Sequence, residues 1–216
     1  MEKKLEILES RKRLDQTLSL PDLVNEGSIA SLVKEKYMQS SIGMDDDSIG
    51  KIVEIRTKEV TNFLDMLRSA SKQENNTSSS PSNSCKDWKV KQDTDQLRVM
   101  YREGPHGSPY HTLLAEGFAN GPMDVCLCVS WESTLYRKWW PQYSVPTFKI
   151  VVSSRLQKVQ IGEEIFLMRM KVPWPVSDRE VVLHYFEIEY FKEDLLLILI
   201  KSVKYFLLSL FIDFIL

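Results

Sequence analysis

The side chains best suited to moving protons or holding a metal are three histidines, His106, His111 and His184, and the closely spaced Cys126 and Cys128. Their arrangement argues against both uses. Positions two apart on a helix face different directions, so the two cysteines make a poor zinc pair without further thiols or histidines at suitable spacing. No glycine-rich phosphate loop joins a strand to a helix; Gly104, Gly107 and Gly117 sit in turns or a strand. Acid–base catalysis would require Tyr101, His111, Glu116 and His184 to converge in one cavity. That convergence stays open as an enzymatic alternative, a cyclase-like activity on a hydrophobic substrate. The adopted reading assigns no catalytic residue, no metal and no cofactor.

A second chemistry is recognition of an apolar molecule, which needs a hydrophobic wall and a few polar groups to orient one end of the ligand. Phe166, Met168, Met170, Tyr185 and Phe186 can supply the wall, because flexible methionines adapt to irregular shapes and aromatic rings bring large area. An ordinary core would look the same, since periodicity does not separate a cavity lining from a packed interior. Arg98, Arg169 and Arg179 can each hold an acidic group through a planar fork, or stand solvated at the surface. Trp131, Trp139 and Trp140 cluster near a helix end, where such rings can rest at a membrane interface, although Trp139 is expected in the core.

The elements that must position these groups fall into two kinds. Residues 1–70 read as a helical region. Helices are expected over residues 3–18 and 21–40, with the break at Ser19 or Leu20 before Pro21. A third carries an apolar stripe, Ile49, Ile52, Val53, Val60, Phe63, Leu64 and Leu67, behind the acidic run Asp45, Asp46, Asp47. Residues 71–86, rich in Ser and Asn and nearly free of large apolar side chains, read as a flexible linker.

From residue 87 to 216 the period changes from helical to alternating. WKVKQD, LRVMYREG and HTLLAEGFANG form an expected antiparallel meander. A helix is expected from Asn120-Gly121-Pro122 to about Trp140, with Val125, Cys128, Val129, Leu135, Tyr136 and Trp139 as its buried stripe. Strands resume with FKIVVSSRLQKVQ, EEIFLMRMKV, REVVLHYFEIEYF and LLLILI. Strands, a helix and strands again imply an α+β domain in which an antiparallel sheet curves around a helix.

Bulk properties exclude some functions. The 216 residues are 43% hydrophobic and 27% charged, with 28 basic against 30 acidic side chains and a formal net charge of −2. That balance leaves no electrostatic footprint for nucleic acid, which is not an expected partner, so any lipid contact must be mainly apolar. Three cysteines give no disulfide framework, and the charged first twenty residues cannot act as a secretory signal, so a cytoplasmic location is expected. The run LLLILIKSVKYFLLSLFIDFIL from Leu195 is about long enough for a membrane span, but Lys201 and Lys204 near its middle weigh against one. Membrane association through this tail is the alternative location.

Trp88 opening the first strand, the helix closing on ESTLYRKWW and, above all, PWPVSDREVV over residues 173–182 resemble a START domain, the steroidogenic-acute-regulatory-related lipid-transfer family, in a plant-type version. The likeness covers about residues 85–200. Its most specific element is the Pro-rich loop running into Arg179-Glu180-Val181, similar to the family's P-x-S-x-R-D-hydrophobic pattern, with Glu180 in place of the usual Asp. The resemblance implies a helix-grip fold holding one lipid such as a sterol or phospholipid in a tunnel, for transfer or sensing, with transient contact at a membrane surface. It implies no cofactor. It makes Trp174, Pro175 and Arg179 gate or ligand-contacting residues at the cavity mouth, alongside Arg98, Tyr101, Phe166, Met168, Met170, His184, Tyr185 and Phe186 as candidate ligand contacts. Against the family pattern the closing helix is incomplete or missing, and KSVKYFLLSLFIDFIL is expected to replace it, as in a truncated isoform. A structural or interaction protein with a filled pocket is the third reading.

Overall fold

The structure is a computed structural model of the 216-residue chain, and it describes residues 2–40, 46–71, 88–104, 110–141 and 148–203. The element order is α1 (Glu2–Leu18), α2 (Pro21–Val24), α3 (Glu26–Ser40), α4 (Asp46–Ser71), β1 (Lys89–Asp93), β2 (Leu97–Glu103), β3 (His111–Gly117), α5 (Met123–Trp131), α6 (Tyr136–Trp139), β4 (Lys149–Gln160), β5 (Glu163–Lys171), β6 (Arg179–Tyr190) and β7 (Leu195–Ser202). This is the α+β class expected from the sequence, with strands before and after a helical segment. Apart from Ser71, which ends α4, the expected linker lies outside the described residues.

The chain divides into two compact units. One comprises Met1–Ile29 and Lys58–Asn120, the other Ala30–Thr57 and Gly121–Leu216. The division therefore falls within α3 and α4.

In the first unit, β1, β2 and β3 form an antiparallel sheet in that order. Alternation assigns Arg98, Met100 and Arg102 of β2 to one face and Val99 and Tyr101 to the other. Met100 packs with Trp88 and Ala70, and the Arg102 guanidinium sits 4.8 Å above the Trp88 ring. Arg68 of α4 donates from Nε to the Leu18 carbonyl at 2.8 Å and from Nη2 to the Leu23 carbonyl at 2.5 Å. These are carbonyls that α1 and α2 leave unbonded at their C-termini.

The single helix expected over residues 21–40 is interrupted at Asn25, whose backbone is extended at φ −81° and ψ 121°. Its side-chain Oδ1 accepts from the Gly27 and Ser28 amides at 2.8 and 3.2 Å, so Asn25 ends one helix and caps the next.

In the second unit, β4, β5, β6 and β7 form an antiparallel sheet in sequence order. The β4–β5 hairpin turns on Ile161-Gly162, with Gly162 at φ +75°, the left-handed region where glycine is least strained. A Cβ there would also stand 3.2 Å from the Glu187 Cβ. Leu195–Ser202, the start of the apolar C-terminal run, is a strand paired to β6, while the rest of the tail from residue 204 lies outside the described residues. Among the described residues no helix is long and apolar enough to cross a membrane.

The helix expected up to Trp140 is corrected in one respect. It breaks at Glu132, where ψ is 68°, passes through a 3-10 turn over Ser133–Leu135 and resumes as α6. One stripe at helical period cannot continue across that break. Of the six stripe residues only Tyr136 is buried, and α5 buries none of its own side chains. Trp139, expected in the core, is partly exposed and meets Tyr136 edge-on at 5.2 Å.

Candidate functional site

The four-stranded sheet of the second unit has two working faces, set by which strand residues are odd and which are even. One carries Phe166 and Met168 from β5 and Tyr185 from β6. With Ile150 of β4 and Tyr136 of α6 they form a buried cluster, joined by the partly buried Trp131, Trp140, Met170, Val181, Leu183 and Ile198. Tyr136 and Phe166 meet edge-on at 5.5 Å, and Trp131 stands edge-on to Tyr185 at 5.3 Å. The structure thus brings together four of the candidate wall residues, Phe166, Met168, Met170 and Tyr185.

The fifth wall residue, Phe186, and the candidate ligand contact His184 do not join them. Consecutive strand residues point to opposite faces, so Tyr185 and Phe186 cannot line one wall, and His184 lies on the Phe186 side. There His184 and Phe186 stack at 6.2 Å between ring centroids. Tyr37 of α3 also stacks on Phe186, with Arg56 of α4 above the ring at 5.4 Å.

Behind this stack lies a polar cluster that periodicity did not reveal. Tyr37, Arg56, Glu163 and His184 are each no more than 2% exposed. The Tyr37 hydroxyl donates to the Glu163 carboxylate at 2.8 Å, Arg56 Nη2 lies 3.3 Å from Glu163 Oε1, and His184 Nε2 lies 2.8 Å from the same oxygen. Arg56 Nη2 is also 3.1 Å from His184 Nε2. One ring nitrogen cannot both donate to Glu163 and accept from Arg56. The shorter contact to the carboxylate places the proton on Nε2. Burial opposes ionisation of Glu163, but the hydrogen bond and charge of His184, the Arg56 charge and the Tyr37 hydroxyl outweigh it and hold the carboxyl below its usual range. The same burial, reinforced by the Glu163 charge, drives the Tyr37 hydroxyl strongly upward. Within an amphipathic helix, Arg56 reads as an exposed basic residue between stripe positions, so no sequence signal marked it.

The apolar face has its own polar end. Arg155 of β4 donates from Nε to Glu164 Oε2 at 2.5 Å, and its Nη2 lies 3.7 Å from Glu132. The Ser153 hydroxyl donates to the Ser133 carbonyl, and the Tyr136 hydroxyl to the Ser130 carbonyl at 2.5 Å. The Tyr185 hydroxyl donates to Glu187 Oε2 at 2.9 Å. Burial, helped by the Glu164 charge, pushes the Tyr136 hydroxyl up to about 12. Two buried atoms here, Glu164 Oε1 and the Ser133 hydroxyl, have no hydrogen-bond partner among the described residues. Leaving such a group unsatisfied costs about 1–3 kcal/mol.

The remaining candidates are dispersed. Trp174 is 92% exposed on the loop between β5 and β6, next to Pro175, and Arg179 opens β6 exposed to solvent. Arg98 and Tyr101 belong to the first unit and to opposite faces of its sheet. Arg98 Nη1 lies 3.5 Å from Glu116, which also accepts from Arg11 at 2.9 Å. His111 stands across from Glu103 at the other end of β3, so Glu116 is committed to arginines rather than to a histidine. Among the described residues no cluster of His, Cys, Asp and Glu could hold a metal ion.

Clefts also open among the described residues. One of about 300 Å³ in the first unit is lined by Ile7, Arg11, Leu14, Leu114, Glu116 and Phe118, and one of about 460 Å³ in the second by Leu32, Lys36, Ile161, Ile188 and Phe191 among others. Neither is lined by a candidate ligand-contacting residue.

No protein-family model matches the chain, and no curated protein matches it. Among solved structures it is similar to a STAR-related lipid transfer protein (fragment 25–204) from Xanthomonas axonopodis, with 22% identity and a TM-score of 0.45, over 54% of this chain and 60% of that one.

Proposed function

We propose that this chain binds a single hydrophobic lipid, a sterol or phospholipid, against the apolar face of its four-stranded sheet, and carries or senses it without chemical conversion. The observation that carries the reading is how that face is covered. Ile150, Phe166, Met168 and Tyr185 present a continuous apolar and aromatic surface, yet α5 places no buried residue on it. Beside the buried Tyr136 ring the cover consists of the Trp131 and Trp140 rings, which are only partly buried and lose less on displacement than a packed helical stripe would. The PWPVSDREVV resemblance supports the same reading, with Trp174 and Pro175 as mouth residues and Trp174 and Val176 available for transient contact with a membrane surface.

A cyclase-like reading has less behind it. The Glu163–His184 pair is sealed on the opposite face, where no substrate reaches it in this arrangement. The filled-pocket reading draws on the same buried cluster and predicts that no lipid is retained. Exposed thiols at Cys126 and Cys128 suit a reducing, cytoplasmic setting.

Native mass spectrometry of the full chain purified from cells separates these readings. One lipid per chain is the expected result. A chain that retains no lipid and takes none up from mixed vesicles would remove the lipid reading in favour of a filled core.

A further inference from the structure

The polar end of the apolar face selects what kind of amphiphile can bind there. At one end of the second unit lie three carboxylates, Glu132, Glu164 and Glu187, with the Arg155 guanidinium shared between Glu132 and Glu164, Lys158 paired across from Glu164 and the Lys36 amine beside Gly162 and Glu187. Glu164 is wholly buried. Its Oε2 is satisfied by Arg155, while its Oε1 accepts nothing from the described residues. The wholly buried Ser133 hydroxyl, on the turn joining α5 to α6, is likewise without a partner. That turn is tied to the same stretch of β4 through the Ser153 hydroxyl and the Ser133 carbonyl, two residues from Arg155. A buried carboxylate oxygen with an open lone pair calls for a donor, and a hydroxyl can both donate and accept.

We propose that this end is the polar subsite for the bound lipid, and that it takes an amphiphile whose polar end donates a hydrogen bond, a hydroxyl or an amine, in preference to a phosphate- or carboxylate-ended one. The assignment rests on the lipid-binding reading above. An incoming hydroxyl or ammonium would donate to Glu164 Oε1 and meet Ser133, with its hydrocarbon body against Phe166, Met168 and Tyr185. An anionic head would be repelled by the open Glu164 Oε1, and the Arg155 guanidinium beside it is already bound to two carboxylates, although Lys158 pairs with Glu164 across the strands and the Lys36 amine lies beside Gly162. Access requires the Trp131 ring to leave Tyr185. Trp131 ends α5, none of whose side chains is fully buried, and is followed at once by the backbone break at Glu132, so the contacts given up are those of the Trp131 ring with Tyr185 and the cluster.

The test uses the full chain and four probes that share one hydrocarbon chain: octadecanol, octadecylamine, octadecyl phosphate and stearate, with affinities measured by displacement of a fluorescent fatty probe. Octadecanol or octadecylamine should bind at least about tenfold more tightly than the two anionic probes, the scale of one charge-assisted hydrogen bond. Glu164→Gln should lower affinity for the donor-ended probe by about tenfold and leave or raise that for octadecyl phosphate. Ser133→Ala, a smaller change that tests the same end if Glu164→Gln folds poorly, should lower donor-ended binding alone. Equal binding of all four probes, or tighter anionic binding unaffected by either variant, overturns the subsite while leaving lipid binding in place. Failure of every probe, together with no retained cellular lipid, overturns both.

Discussion

Arg56 and Glu163 are the residues on which the second unit's polar interior depends. A buried ion pair contributes little net stability when intact, but removal of one partner leaves an uncompensated charge where water cannot reach it. Arg56→Leu should therefore lower unfolding free energy by about 3–5 kcal/mol in urea titrations, and Arg56→Leu combined with Glu163→Leu should recover much of that loss. Equal losses in the single and double variants would mean that the charges are not coupled. The same pair predicts an acid limb. The folded Glu163 carboxyl titrates below its unfolded value of about 4.3, so its contribution is fully present above that value and is lost as pH falls through the folded one. Thermal melts of the parent should weaken as pH falls below about 4, and Glu163→Gln should flatten this limb. Trp174 sits at the other extreme. At 92% exposure its removal should leave stability within about 0.5 kcal/mol while slowing lipid uptake from vesicles; unchanged uptake would remove it from the mouth.

At the scale of elements, β5 and β6 each serve two purposes through their alternation. Phe166, Met168 and Tyr185 face the proposed ligand side, while Glu163, His184 and Phe186 face α3 and α4. Phe166→Ala should cost about 3–5 kcal/mol, whereas Val129→Ser on α5 should cost less than about 0.5, because that valine is already exposed. A large loss on α5 would show that it packs as a core helix after all. The strands were legible because their alternation and their Gly, Pro and Asp boundaries are local signals, and all seven expected segments form strands. The stripe along α4 was legible for the same reason. The split of α5 from α6 was not, since it depends on the Glu132 backbone and not on any period. The side on which His184 falls follows from strand parity. Its partners do not, because Tyr37 and Arg56 lie more than a hundred residues away in sequence.

For the whole molecule, weak net charge combines with large exposed apolar side chains. The formal charge of −2 leaves little mutual repulsion between copies. Leu113 and Phe118 in the first unit, and Ile161, Trp174 and Phe191 in the second, are all more than half exposed. The sequence pI is about 6.0, so the net charge passes through zero just below neutrality. Self-association should accordingly rise between about pH 7 and pH 5.5, and static light scattering at fixed concentration will show it. Raising ionic strength at pH 7 should have a small effect by comparison, since a net charge of −2 leaves little repulsion to screen and the attraction is apolar. Saturation with a bound lipid should reduce the scattering only if the α5–α6 segment contributes to it. Replacing Phe191 with Lys should reduce it whether or not lipid is bound, because that residue lines the second unit's separate cleft. Scattering that is flat across this pH range, or insensitive to Phe191→Lys, would place the cause in a specific polar interface and not in exposed apolar surface.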